Sequence, residues 1–418
     1  MTLGTHFTRE LWFLWRDKTA VFALIGLCAL SVFSAVNGLD KMASQRSAIA
    51  AMVDADAADR QTAQSKVRSF GDAGYYSFYI TYDPPSPLAF AAFGQRTTAP
   101  YMKRVRLLAL EGQIYQGDSP NPLLAHVGSL DLAFIAAFAM PLVLIVLLHD
   151  LKSSETAGGR LTLLQSLPGT TAHFWAARVL WRSVLAFASV ALPFTVAAAV
   201  SGAAMGTVLS ALLAIAATAA LWAAVSVLAA QLSWPSSTIA ASLVGLWLAL
   251  NVLVPVGAHM AVMSGVHGPD GSDVALLQRE AVNDAWDIPK EDTLGPFAAL
   301  YPQFTIDEEL NSFDWRWYFA FQTMGDVTAS DLSNAYRQAT RQRDNLLASA
   351  RWLSPGLALQ RHLEHLAKTD LRAQLAYDSA IRAYHDALKA FFFPLIFGKA
   401  PFDPAALAKY PAYEPPQS

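Results

Sequence analysis

Apolar runs of bilayer length alternate with polar segments along the chain. A transmembrane helix needs about 20 mostly apolar residues, and the sequence predicts five such helices. We place them at residues 19–37, 129–149, 176–200, 205–231 and 238–263. The strongest signal is the stretch 183–269, which contains no Asp, Glu, Lys or Arg. This stretch is long enough for three spans, with short turns near Gly202 and Pro235.

Two long polar segments, residues 38–128 and 265–418, lie outside these runs. Residues 1–18 place tryptophans beside basic side chains, which is typical of a helix at the cytoplasmic membrane surface. With the N-terminus in the cytoplasm, one span precedes the first polar segment and five precede the second. The sequence therefore predicts a mainly α-helical membrane protein with five transmembrane helices and a large, mostly helical extracytoplasmic domain built from two insertions.

Local patterns divide the first polar segment further. We expect a helix over residues 41–70, continuing away from the membrane and ending at Gly71 and Gly74. Alternating aromatic residues then predict a short strand or extended stretch over 75–82. Residues 102–115 fit either a helix or a strand.

The second polar segment has the pattern of several helices. Ser272 and Asp273 are expected to cap the first of them. Two long helices, at 329–353 and 357–393, are expected to be divided at Pro355.

Composition agrees with a membrane protein. The chain of 418 residues is 54% hydrophobic and 15% charged, whereas soluble domains average about 25% charged residues. A net charge of -3 argues against a nucleic-acid-binding surface. The single cysteine, Cys28, lies in the first predicted span. An extracytoplasmic domain therefore has to hold together by packing, without an intrachain disulfide.

The segment at 150–175, between the second and third predicted spans, is assigned to the cytoplasm. Lys152, Arg160, Arg178 and Arg182 lie in it or beside it. Short loops rich in Lys and Arg stay on the cytoplasmic side. The charge bias therefore agrees with the five-span topology.

A short amphipathic helix is predicted within this segment. Leu161, Leu163 and Leu164 supply its apolar residues, Gly159 precedes it and Pro168 ends it. One interpretation is a helix that lies in the lipid headgroups. The other is a helix that docks into a groove of a cytoplasmic partner.

The same residues resemble a known family, the type-2 ABC transporter permeases. Their second span is followed by a Glu, a Gly-Thr-Leu, a Leu-Leu and a Pro. The corresponding residues here are Glu155, Gly159, Leu161, Leu163, Leu164 and Pro168. Arg160 stands where the family usually has Thr. A further set of stretches is similar to a subgroup with large extracytoplasmic insertions, at 82–90, 94–96, 111–115 and 121–122.

In that family the stretch is the coupling helix, which receives the ATPase subunit. The resemblance implies a permease subunit in a bacterial inner membrane, with an ABC ATPase dimer and a second permease chain, identical or sister, as partners. ATP and Mg belong to the ATPase. We expect no catalytic residue, cofactor or nucleic-acid partner for this chain, which is not an enzyme and lacks a G-x-x-x-x-G-K-[ST] phosphate loop. Large outer domains favour export.

Two other functions stay open. In the first, a mechanotransmitting complex, ATP-driven motion acts on a periplasmic partner and nothing is transported. In the second, the chain is a membrane-anchored enzyme with its active site in residues 265–418. A substrate path between the spans argues against the first, and a bound metal in the outer domain favours the second.

Polar residues elsewhere suggest two weaker candidate sites. Asn251, Pro255 and His259 interrupt the fifth predicted span. They indicate either an interhelical hydrogen bond with a kink or a polar patch that lines a substrate path. His362 and His365 share one helix face, but a zinc site needs three or four ligands. We therefore predict a solvated helix face there and no metal site.

Overall fold

The computed structural model describes residues 3–115, 130–166, 171–304, 306, 310 and 312–416. The chain is mostly helical, at 77%, and its described part contains a two-stranded sheet. Within the described residues, five helices are long and apolar enough to cross a membrane, which fits a helical membrane protein. We call them the first to fifth apolar helices. They are Lys18–Gln64, Leu132–Ala157, Ala172–Ser201, Met205–Ala229 and Ser236–Gly265. The second range includes a turn at residues 149–152, and we use the name second apolar helix for its part that ends at Leu148.

The first apolar helix is longer than a bilayer requires. It has 47 residues, which corresponds to about 70 Å at a rise of about 1.5 Å per residue, against a hydrocarbon layer of about 30 Å. Asp17 caps its start by accepting a hydrogen bond from the amide of Ala20. A separate N-terminal helix, Leu3–Arg16, precedes it. The C-terminal part of the first apolar helix therefore extends well beyond an apolar layer.

The expected end of this helix at Gly71 and Gly74 is wrong. The helix ends at Gln64, and both glycines lie inside the next helix, Phe70–Tyr76. A Cβ on Gly71 would lie 2.1 Å from Cγ of Trp315. Glycine is required there because another helix packs closely, and not because a helix ends.

The second and fifth apolar helices each contain a π-turn, at Ile135–Ala139 and Ala249–Leu253. Pro141 and Pro255 stand in the first turn of the helical segment that follows. A proline lacks an amide hydrogen and crowds the preceding turn, which accounts for the local widening. The flanking α-helical segments are Leu132–Phe134, Met140–Leu148, Ser236–Leu248 and Val254–Gly265.

The sheet lies in the first polar segment. Strand β1, Tyr79–Tyr82, pairs antiparallel with strand β2, Met102–Val105. The predicted strand is thus present in the last part of the expected stretch. Residues 102–115 contain both predicted alternatives, because β2 is followed by a helix at Leu110–Tyr115. A 3-10 turn at Gly94–Thr97 lies between the strands.

The second polar segment is helical in its described residues. Its helices are Gly271–Asp284, Lys290–Leu300, Trp315–Ser349, Pro355–Leu366 and Leu371–Phe397. Its 3-10 turns are Pro302–Phe304, Ala350–Trp352 and Pro404–Lys409.

Asp273 caps the first helix of this segment as expected, Ser272 does not, and the expected start of the first long helix is wrong. Asp270 caps the first helix in a capping box with Asp273, while Ser272 lies within the helix. In a capping box, the acid at the cap accepts the amide three residues later, and the acid at that later position accepts the amide of the cap residue. These two hydrogen bonds stabilise a helix start at Asp270 more than a single cap by the hydroxyl of Ser272 would stabilise one there. The first long helix begins at Trp315, well before the expected start, because Asp314 caps it.

The single helix expected over 357–393 is divided in two. Lys368 has a left-handed φ of 52°, which an α-helix cannot contain. Asp370 then caps the next helix, Leu371–Phe397. The expected division at Pro355 is present, and the helix that follows it begins at Pro355 itself.

Two large apolar cores organise the described part of the fold, beside a small cluster that contains Trp317 and Phe321. One lies among the five apolar helices and also takes in Leu359, Leu363 and Ala367 from the second polar segment. The other contains residues of both polar segments, which therefore form one unit that we call the polar domain. Its large buried side chains include Phe70, Tyr79, Leu107, Phe319, Tyr377, Phe392 and Phe393.

A buried ion pair joins the two halves of the polar domain. The oxygens of Glu111 accept hydrogen bonds from Nε and Nη2 of Arg382, at 2.8 and 2.9 Å. Ser333 donates a third hydrogen bond to the same carboxylate at 2.7 Å. Burial alone raises the pKa of Glu111, but the hydrogen bonds and charge of Arg382 outweigh it, and the pKa is lowered. The pair fixes Leu110–Tyr115 against the last long helix.

Candidate functional site

The first candidate site is the connection between the second and third apolar helices, described over residues 150–166, which we call the 2–3 connection. It contains two short helices, Ser153–Ala157 and Leu161–Ser166. Gly159, between them, has a φ of +66° and open space where a Cβ would be. Glycine is therefore favoured by backbone conformation alone. Pro168, the predicted end of the second short helix, lies outside the described residues.

Leucines give the second short helix an apolar surface. Leu163 is 69% exposed, and Leu161 and Leu164 are half-buried. Adjoining exposed apolar side chains mark sites of contact with a protein or a membrane. The described chain thus leaves Leu163 open to such a contact.

Glu155, in contrast, is buried and paired within the chain. Its Oε2 accepts a hydrogen bond from Nε of Arg160 at 2.6 Å, and its Oε1 accepts one from Nη1 of Arg178 at 3.2 Å. Arg160, which stands in place of the usual Thr, thus supplies an ion pair. Its carbonyl also accepts the amide of Leu164 at 3.0 Å, so Arg160 begins the second short helix.

The ion pairs continue to the N-terminal helix. Nε of Arg178 and Nε of Arg182 lie 3.2 and 3.5 Å from Oε1 of Glu10. All three side chains are buried, and a buried charge is very costly unless it is paired. Arg182 also donates to the carbonyl of Leu147, at the end of the second apolar helix. The network therefore fastens the N-terminal helix, the 2–3 connection and the second and third apolar helices together.

Sequence reasoning missed Glu10 and assigned Arg178 and Arg182 only to membrane orientation. Two signals were available in the sequence. Glu10 is the one acidic residue among the basic and aromatic residues of 1–16. Arg178 and Arg182 are four residues apart, so they share a helix face, and they directly precede the long uncharged stretch.

The second candidate set is divided between different environments. Asn251 is 3% exposed. Its Oδ1 accepts the amide of Gly356 at 2.9 Å, and its Nδ2 donates to the carbonyl of Trp247 at 3.1 Å. Pro255 is half-buried and His259 is exposed. Asn251 thus makes a hydrogen bond between the fifth apolar helix and the second polar segment, as in the first of the two interpretations above.

His362 and His365 each have a polar partner. Nε2 of His362 lies 3.1 Å from Oγ of Ser210, and Nδ1 of His365 lies 3.0 Å from Oδ2 of Asp370. Within the described ranges, no group of three or more His, Cys, Asp or Glu side chains is placed to hold a metal ion. The two histidines join their helix to its neighbours.

The comparison with known proteins gives a family match. The profile of a family described as a domain of unknown function (DUF3526) matches residues 274–416, which lie in the second polar segment. No curated protein and no solved structure matches the chain.

Proposed function

We propose that the chain is the transmembrane permease subunit of an ATP-driven ABC transporter that works as an exporter. In this proposal it lies in a bacterial inner membrane, with its N-terminus and the 2–3 connection in the cytoplasm and the polar domain outside. Two permease chains, identical or sister, bind two ATPase subunits, which carry the ATP and Mg.

The observation that carries the proposal is an exposed leucine on a short helix that adjoins a buried network of ion pairs. Leu163 projects from Leu161–Ser166, and the adjoining Glu155 is held by Arg160 and Arg178. A loop that rests on lipid needs no fixed shape, whereas a contact that passes force needs a firm support. The buried network provides that support, because Arg178 in turn is held by Glu10.

In this mechanism, ATP binding closes the ATPase dimer and moves the two short helices with it. The ion pairs pass the displacement to the third apolar helix and to the N-terminal helix. Burying a leucine side chain contributes about 1.5–3 kcal/mol. Leu163 alone then accounts for roughly a 10- to 100-fold change in affinity for the ATPase.

One observation favours the mechanotransmitting alternative. The first apolar helix continues without a break into the polar domain. There its Asp56 is fully buried and accepts hydrogen bonds from Nε of Arg104 at 2.9 Å and from the amide of Ile80 at 3.2 Å. A helix anchored in this way moves the polar domain when its inner end tilts. In this alternative the moving domain acts on a periplasmic partner and nothing crosses the membrane.

The test compares Leu163→Asp with Thr162→Asp. Thr162 is exposed on the same short helix, so both variants add the same charge at neighbouring positions. We expect the ATPase activity that copurifies with an affinity-tagged Leu163→Asp chain to be at least tenfold lower than with the unmodified chain at equal membrane expression. The reason is that a charge would enter an apolar contact. Thr162→Asp should retain most of it. Full retention of ATPase by Leu163→Asp would refute the coupling assignment.

A further inference from the structure

Two helices of the second polar segment, Trp315–Ser349 and Pro355–Leu366, form what we call the C-terminal hairpin. Nη2 of Arg361 lies 2.7 Å from Oδ1 of Asp344, and this ion pair joins the two helices. Nε of Arg343 donates to the carbonyl of Val266 at 3.2 Å, directly after the fifth apolar helix. From that level the hairpin continues for almost two further helical turns before its tip.

The beginning of the second hairpin helix lies beside the middle of the apolar bundle. Gly356 contacts Asn251, which is in the central π-turn of the fifth apolar helix. A Cβ on Gly356 would also lie 3.1 Å from Cε1 of Phe138, in the π-turn of the second apolar helix. Both π-turns therefore face the same short helix.

Contacts with the fourth apolar helix place the hairpin tip at the same depth in the bundle. Pro355 and Trp352 line a groove of about 430 Å³ together with Ala214 and Ala217. These two alanines lie near the centre of the fourth apolar helix, Met205–Ala229. The tip is therefore well inside the length of the helices that would cross a bilayer.

Where a helix is interrupted inside hydrocarbon, its backbone amides still need hydrogen-bond acceptors. The amides that follow Trp352 at the tip have such acceptors. The amides of Leu353 and Ser354 both donate to the carbonyl of Ala350, at 3.0 Å each. Pro355, the next residue, has no amide hydrogen.

The following amides are satisfied by side chains. The amide of Gly356 donates to Oδ1 of Asn251 at 2.9 Å. The amide of Leu357 donates to Oγ of the fully buried Ser354 at 3.3 Å. A polar side chain inside the fifth apolar helix thus completes a helix start that belongs to another segment.

The outer side of the tip is apolar and exposed. Trp352 is 80% exposed and Leu353 is 65% exposed. Cζ of Arg351 lies 5.3 Å from the centre of the Trp352 ring. A long arginine can extend its charge toward the headgroups while its methylene groups stay in an apolar layer.

We propose that the C-terminal hairpin is re-entrant. Its tip, residues 350–354, enters the bilayer from the outer side, contacts lipid acyl chains through Trp352 and Leu353, and returns without crossing. The hairpin thereby fills the space between the second, fourth and fifth apolar helices. This inference concerns placement in the membrane and is independent of the ATPase assignment.

Spin labels test the position of the tip. Cys28 is the single cysteine, so a Cys28→Ser chain carrying Trp352→Cys or Leu353→Cys can be labelled at one site. The full chain is reconstituted in phosphatidylethanolamine–phosphatidylglycerol vesicles, and collision of the label with oxygen is compared with collision with a water-soluble nickel chelate. Labels at Leu213→Cys, 62% exposed on the fourth apolar helix, and at Thr328→Cys, exposed in the polar domain, are the lipid and water controls.

We expect both tip labels to match the label at Leu213→Cys, with strong oxygen and weak nickel collision. Nickel collision equal to that at Thr328→Cys would place the tip in water and overturn the proposal. Weak collision with both reagents, together with spin–spin broadening, would show a second copy of the chain on the tip and would also overturn it. Size-exclusion profiles equal to those of the unlabelled chain show that the variants are folded.

Discussion

Replacing Gly356 by alanine is a sharp test of how the C-terminal hairpin docks. An added Cβ would lie 2.5 Å from Oδ1 of Asn251 and 3.2 Å from the carbonyl oxygen of Ala137. The second neighbour is backbone, and Asn251 is held by its own hydrogen bond to Trp247. Neither can move far without disturbing an apolar helix, so the hairpin itself has to shift.

The expected cost follows from two changes. Overpacking in a filled core costs about 1–3 kcal/mol. If the shift breaks the hydrogen bond from the amide of Gly356 to Asn251, a buried donor is left unpaired at a cost of about 1–3 kcal/mol. The lower chain entropy of alanine in the unfolded state returns roughly 0.5–1 kcal/mol. The net destabilisation is on the order of 1–5 kcal/mol.

The assay is the midpoint of heat-induced loss of the monodisperse peak in size-exclusion chromatography of the detergent-solubilised chain. We expect a midpoint several degrees lower for Gly356→Ala, because about 2–4 °C per kcal/mol is usual for chains of roughly 150–250 residues and less for longer ones. Gly245→Ala is the matched control. Gly245 is exposed inside the helix Ser236–Leu248, where a Cβ would meet nothing within 4 Å, so the midpoint of this variant should stay equal or rise. An unchanged midpoint for Gly356→Ala would refute the close packing of the hairpin on Asn251.

Three further substitutions test the ion pairs. Arg178→Gln leaves Glu10 and Glu155 without their shared cation and should lower the free energy of unfolding by about 3–5 kcal/mol. Arg160 has a side chain that is 58% exposed, so Arg160→Gln should lower it by no more than about 1 kcal/mol. Equal unfolding midpoints for both variants would contradict the assigned network. The pKa of Glu111 is lowered in the folded state. The ionised Glu111 therefore contributes fully to stability above about pH 4.3, the ordinary pKa of a glutamate in an unfolded chain. This contribution is lost as the pH falls through the lower pKa of the folded state. Between about pH 5 and about pH 3 the unmodified chain should therefore lose more stability than Glu111→Gln, and identical slopes of midpoint against pH would contradict this.

The apolar helices were predictable because length and composition alone specify them. The uncharged stretch 183–269 alone indicates where three of these helices lie. The predicted breaks at Gly202 and Pro235 fall between helices as observed, because glycine and proline act on the backbone locally. The same local logic placed the division between two helices at Pro355.

Other features were not predictable because they depend on partners far away in the sequence. Gly71 looks like a helix end until Trp315 is known to pack on it. Asn251 looks like part of a polar path until its distant partner Gly356 is in view. The buried pairing of Glu155 likewise requires Arg178, which local spacing had assigned only to membrane orientation.

These distant contacts bear directly on how motion would pass through the molecule. The first apolar helix continues into the polar domain as one uninterrupted helix, and the hydrogen bonds of Asp56 fix its outer part there. The C-terminal hairpin returns from the polar domain to the middle of the bundle and is fixed there by Asn251. A change in spacing between the second and fifth apolar helices alters the pocket in which the hairpin sits, since both π-turns line it. Because the hairpin begins with the long helix Trp315–Ser349, whose Phe319 is part of the polar-domain core, such a change has to reach the polar domain through rigid elements.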